Sequence, residues 1–178
     1  MEHTPIRLAK ARTLFSVYDH DRNGVLERAD FEAVADNVAR ARSAPHEEVR
    51  RLCLSIWNEL QQVADEDGDG RVSFQELLAY LDLLTHDPLL FHQQVLTLSR
   101  LLFEILDSDH DGRITQAEYI EFAGCLRFSA DRRTFLTLTE GADSLSAEQL
   151  QLRLQEFYYS DRPESPGNLF FGPLVEAL

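Results

Sequence analysis

Three stretches of the chain gather oxygen-bearing side chains at fixed intervals: DHDRNGVLERAD at 19–30, DEDGDGRVSFQE at 65–76 and DSDHDGRITQAE at 107–118. In each, positions 1, 3, 5 and 12 carry a carboxylate or carboxamide, position 6 is glycine and position 8 is apolar (Leu26, Val72, Ile114). This is chemistry for a hard divalent cation. Calcium takes about six to eight oxygens, and a loop bent sharply at a glycine supplies them from side chains 1, 3, 5 and 12 and the carbonyl of position 7. The expected donors of the second loop are Asp65, Asp67, Asp69, the Arg71 carbonyl and a bidentate Glu76, with Ser73 bridging through water. The third repeats them with Asp107, Asp109, Asp111, the Arg113 carbonyl, Thr115 and Glu118. The first offers Asp19, Asp21, Asn23 and the Val25 carbonyl, but Asp30 closes it where the others have glutamate, and Glu27 stands at position 9. Aspartate is one methylene shorter, which favours six ligands and the smaller Mg²⁺ unless Glu27 coordinates directly. Up to three Ca²⁺ ions are expected, with Mg²⁺ competing at 19–30.

Loops of this kind need rigid helices on either side, and the apolar spacing supplies them. Leu8, Ala11, Leu14, Phe15 and Tyr18 lead into the first loop, Cys53, Ile56, Trp57, Leu60 and Ala64 into the second, and Leu98, Leu101, Leu102, Phe103 and Leu106 into the third. Phe31, Val34, Ala35 and Val38 follow the first, Leu77, Leu78, Tyr80, Leu81 and Leu84 the second, and Tyr119, Phe122 and Ala123 the third. Helix, acidic loop, helix is the EF-hand unit, and three in-register copies make it a specific signal. A decayed fourth copy follows: Phe135 and Leu138 mimic an incoming helix, and SLSAEQL at 144–150 a loop end and outgoing helix. Aligned on Phe135, position 1 is Thr139; aligned on Leu145, it is Leu138. The disagreement implies a lost residue, and neither frame offers a carboxylate cage.

The expected fold is therefore all-α, with four EF-hand units in two pairs packed into one domain and short ladders pairing Leu26 with Val72 and Ile114 with Leu145. The first pair covers 1–86, the second 87–160 with its degenerate loop at about 138–149, and an apolar tail at 161–178 packs on the core. Asp87 and Pro88 suit a helix cap and first turn, which disfavours one long central helix and folds the halves around a shared interior.

Composition narrows the function. The 178 residues carry a net charge of -14, a field that repels nucleic acid and anionic lipid and attracts cations. No stretch reads as a signal peptide or approaches the roughly 20 apolar residues of a membrane span. Cys53 and Cys125 read as buried reduced thiols with no nearby partner, which points to the cytoplasm. His3, His20, His46, His86, His92 and His110 fall in no ligand or triad spacing and read mostly as surface residues, with His20 and His110 at outward loop positions, so no enzyme is expected.

With three sound hands, a degenerate fourth, the long interval from Asp19 to Asp65, the closing Asp30 and the tail FYYSDRPESPGNLFFGPL, the sequence resembles the sarcoplasmic calcium-binding protein family, which includes calexcitin and calerythrin-like proteins. The resemblance implies a compact four-hand fold, metal in the first three loops, some competition by Mg²⁺ and a role in calcium buffering. The single methionine, Met1, argues against the methionine-rich target groove of a calmodulin-type sensor. A monomer is expected, with a protein partner only if the chain is a sensor. Related photoproteins hold an aromatic ligand inside the same fold; here Trp57 is the only tryptophan, and the tail is expected to fill that space.

Overall fold

Most helices begin where the sequence supplies an oxygen for the first unpaired backbone amides. In the computed structural model, which describes residues 4–42 and 46–175, Thr4 accepts from the Arg7 amide and opens helix α1 (Pro5–Tyr18). His3 and the last three tail residues lie outside the described part. Helices α2 (Arg28–Arg42) and α3 (His46–Ala64) follow. Ser73 caps α4 (Phe74–His86), and Asp87, bonded to the amides of Leu89 and Leu90, caps α5 (Pro88–Leu106). The break at Asp87–Pro88 divides what would otherwise be one long helix. Strand β1 (Ile114–Thr115), α6 (Gln116–Cys125), α7 (Arg132–Leu138), β2 (Ser144–Leu145), α8 (Ala147–Tyr159) and a 3₁₀ turn (Pro166–Leu169) complete the order. No described helix is long and apolar enough to cross a membrane.

The loops pair as their position-8 residues require. Leu26 and Val72 exchange two backbone bonds of 2.8 Å, and β1 runs antiparallel to β2 with Ile114 opposite Leu145. All four of these side chains are fully buried. Burying the helix faces beneath them builds one apolar cluster that draws on both halves, from Leu14, Phe31 and Trp57 to Leu102, Tyr119 and Phe135. Helix α5 packs on α3, α4 and α8, and α2 packs on α3 and α6.

The tail is part of this interior. Phe170 and Phe171 are buried, and Phe171 meets Phe157 at 5.0 Å and Tyr18 at 6.1 Å between ring centres. Tyr119 donates its hydroxyl to the Phe170 carbonyl at 2.9 Å. The backbone comes so close to α8 that a Cβ on Gly167 would overlap the Arg153 carbonyl oxygen, so only glycine fits there. The chain's single lysine, Lys10, is buried beside this contact. Its ammonium donates to the carbonyls of Glu156 and Ser160, capping the C-terminal end of α8, and burial pushes its pKa down to about 8 against the attraction of Asp161.

Candidate metal centres

The three acidic loops share one hydrogen-bond scheme. The position-1 carboxylate accepts from the position-6 glycine: Gly24 to Asp19 at 3.0 Å, Gly70 to Asp65 at 3.1 Å, Gly112 to Asp107 at 3.1 Å. Those glycines have φ of 87°, 85° and 83°, the left-handed bend that side-chain-bearing residues resist. Position 3 accepts from position 5, through Asp21, Asp67 and Asp109. Position 5 accepts from position 7: Asn23 from Val25, Asp69 from Arg71, Asp111 from Arg113. Position 12 bonds the amides of positions 2 and 9 at once: Asp30 those of His20 and Glu27, Glu76 those of Glu66 and Ser73, Glu118 those of Ser108 and Thr115. In the second and third loops this last bond is also half of a capping box that starts α4 and α6. One residue thus closes the cage and starts the next helix.

The scheme turns carboxylate oxygens inward. Asp19, Asp21 and Asp30, then Asp65, Asp67 and Glu76, then Asp107, Asp109 and Glu118 each bring one oxygen within 4.8 Å of the others, a donor set that fits a divalent ion. Asp69 and Asp111 stand outside these triplets. Glu27 also stands outside, with one oxygen 3.4 Å from the Asn23 amide nitrogen and the other 3.5 Å from the Arg71 guanidinium. The first and third cages are more buried at positions 1 and 12 than the second.

The closing residues differ electrostatically. Burial raises the Asp30 pKa despite the amides of Glu27, Asp21 and His20 that bond it. The Ser73 amide and hydroxyl hold Glu76 below the usual range. Burial works to raise Glu118, but its bonds from Thr115 and Ser108 outweigh that and leave it low.

The fourth loop satisfies both sequence frames, each at its own end. Thr139 caps α7 and bonds the Phe135 carbonyl, as Asp19 bonds Phe15 and Asp107 bonds Phe103. At the other end Leu145 pairs with Ile114, and Ser146 with Gln149 repeats the capping box. The stretch between is one residue shorter than in the intact hands. Arg153 is sealed against it, 1% exposed: its Nε donates to the Leu138 carbonyl at 2.7 Å, and its other nitrogens reach Glu156 at 2.8 Å and Glu140 at 3.3 Å. The guanidinium thus ties the end of α7 and the shortened loop to α8. Sequence reasoning passed over Arg153, although a charged residue on the stripe formed by Leu150, Leu154 and Phe157 was a visible signal.

One expectation is corrected. His20 does not face solvent; it is buried between Asn37 of α2 and Arg127 of the second half, whereas His46, His86, His92 and His110 are exposed. Cys53 and Cys125 are buried free thiols, as expected, and the Cys53 thiol is pushed up to about 12, first by burial and then by Cys125, which the fold brings within electrostatic reach.

Helix, oxygen-lined loop, helix, repeated and joined through position 8, defines a calcium-binding EF-hand protein. Residues 8–81 match the model of an EF-hand domain pair, and residues 100–123 that of an EF hand. Calerythrin of Saccharopolyspora erythraea is 26% identical over 171 residues, covering 88% of this chain and 94% of that protein. Sarcoplasmic calcium-binding protein 1 of Astacus leptodactylus is 25% identical over 178 residues, covering 90% and 92%. Among solved structures, the coelenterazine-binding protein of Renilla muelleri in its calcium-loaded apo form superposes with a TM-score of 0.78 at 19% identity, covering 97% of this chain and all of that one. The chain belongs to the EF-hand family, in the group of calerythrin and the sarcoplasmic calcium-binding proteins.

Proposed function

We propose that the protein is a cytosolic calcium buffer with three metal sites, at 19–30, 65–76 and 107–118. The ligands in this reading are the position 1, 3, 5 and 12 side chains and the carbonyls of Val25, Arg71 and Arg113. The outward reach of the Arg71 and Arg113 side chains, to Glu27 and Ser144, supports using those two residues' carbonyls. The short, more buried Asp30 favours Mg²⁺ at the first site in resting conditions. The pairs at 1–86 and 87–160 and the tail at 161–178 are the working units.

The observation that carries the buffer reading is the closed interior. The apolar faces that a sensor would open toward a target already pack on one another and on Phe170 and Phe171. The defined shapes of leucine and phenylalanine favour one fixed packing over an adaptable groove. A calcium titration followed by a hydrophobic dye tests this: fluorescence falls as calcium tightens a buffer, and a rise would establish a sensor.

A second reading, carriage of a small aromatic ligand, has one observation in its favour beside the coelenterazine-binding neighbour. A cavity of about 40 Å³ lies among Tyr18, Tyr80, Tyr158 and Gln94, and the buried Tyr18 hydroxyl has no hydrogen-bond partner among the described residues. That volume suits a few waters. Trp57 is engaged elsewhere, against Phe31 at 5.3 Å. Native mass spectrometry showing a copurified organic molecule would favour the ligand over the buffer.

A further inference from the structure

The first loop is tied to the far half of the molecule through its second residue. Its second residue, His20, is buried, whereas Glu66 and Ser108 at the same position are exposed. The His20 carbonyl accepts from the Arg127 guanidinium at 3.3 Å. The His20 ring Nε2 lies 3.2 Å from the side-chain nitrogen of Asn37, which also donates to the Cys125 carbonyl at 3.2 Å. Cys125 ends α6, the helix that leaves the third loop and carries Glu118 in its first turn. On its other side, the His20 amide bonds Asp30, which closes the first cage. An unbroken series of contacts therefore runs from one cage to the helix of another, in a different EF-hand pair.

Arg127 holds this place at a conformational cost. Its φ is 62°, left-handed, one residue beyond the cap of α6, where glycine is the residue that fits without strain. Among the described residues, the other non-glycine positions with positive φ are Arg22 and His110, at position 4 of metal loops, and Glu140 in the shortened loop. Of these, Arg127 alone stands outside an EF-hand loop, in the turn between α6 and α7. The strained backbone aims a guanidinium that glycine would lack at the His20 carbonyl.

We propose that the first and third metal sites are coupled through Arg127 and Asn37, so that an ion in either strengthens binding in the other. The proposal rests on reading the loops as calcium sites. An ion drawn onto Asp30 fixes the backbone at His20 and Asp21, and this fixes the end of α6. That short helix then transmits the restraint to Glu118 at its other end. Binding linkage makes the effect reciprocal. Arg127 and Asn37 are positioning residues and donate nothing to either ion.

Amide NMR resolves the sites, because Gly24, Gly70 and Gly112 each bond the position-1 carboxylate of their own cage. Calcium is titrated into the full chain and into Asp19→Asn, whose silent Gly24 amide verifies that the first cage is empty. Emptying it is expected to weaken the Gly112 midpoint by about fivefold or more, the low end of measured couplings. In an Arg127→Gly background the same step should change it by less than about twofold, while the calcium-loaded melting temperature holds or rises as backbone strain is relieved. A purely structural arginine would not separate the two readouts. Asn37→Ala serves as the second variant and carries the test if Arg127→Gly does not fold. A Gly112 midpoint indifferent to Asp19→Asn, or a shift that survives both variants, overturns the coupling. If no glycine amide responds to calcium, the metal reading itself falls and takes the coupling with it.

Discussion

Replacing Arg153 by methionine removes the guanidinium sealed against the fourth loop and keeps most of the side chain's apolar bulk. Two bonds carry the cost, to the Leu138 carbonyl at 2.7 Å and to Glu156 at 2.8 Å. Each is charge-assisted and typically contributes about 1.5–3 kcal/mol. The Glu140 contact adds little, since that carboxylate is 68% exposed. Glu156 is only 23% exposed and keeps the Gly167 amide as its remaining bond. Breaking one side of a buried ion pair then predicts a loss of about 3–5 kcal/mol. For a chain of this length that is a fall in melting temperature of about 10 °C. Circular-dichroism melts in saturating calcium measure it, and calorimetric calcium stoichiometry should not change. Adding Glu156→Gln should recover at least about 1.5 kcal/mol, because the carboxylate no longer lacks its partner. A loss under about 1 kcal/mol, or a double variant no better than the single one, would refute the claim that Arg153 holds the shortened loop against α8.

Calcium removal should cost more than any one substitution. Without ions the first three loops each crowd like charges, and filling them moves the formal charge from -14 to about -8; melts in EDTA should therefore fall well below those in calcium, and coincident curves would contradict the linkage. Asp19→Ala should reduce the number of Mg²⁺ sites seen by isothermal titration by one, and an unchanged number would exclude Mg²⁺ at the first loop. Alkaline pH should destabilise the calcium-loaded protein. Burial raises Cys53 from 9.0 to about 12 and raises Tyr18, Tyr80, Tyr119 and Tyr158, so the unfolded chain releases these protons first and stability falls as pH climbs. Lys10 acts in the opposite sense between pH 8 and 10.5, so denaturant midpoints should drop chiefly above about pH 10.

Local rules carried most of the fold into the sequence. Apolar periodicity located the helices, and the position-8 residues named the Leu26–Val72 and Ile114–Leu145 partners because a paired loop must bury one apolar residue at that point. Asp87 and Pro88 marked the break between α4 and α5 through capping chemistry alone. What could not be read is what depends on distant chain segments meeting. His20 sits in a polar stretch and reads as exposed until Asn37 and Arg127 arrive from α2 and beyond α6. The approach of Cys53 to Cys125 likewise needs α3 and α6 in one interior. Arg153 was legible in part, as a charge on an apolar stripe, but its partners Leu138 and Glu140 lie across a loop whose length was ambiguous.

The placement of Lys10 has a consequence for handling and turnover. With its lone side-chain amine closing the end of α8, the native molecule withholds that group from acylating reagents, from conjugation through an isopeptide bond and from lysine-directed proteases. Cleavage after Lys10, or its labelling, would register when α1 separates from α8, so one residue serves as a built-in gauge of opening at that contact.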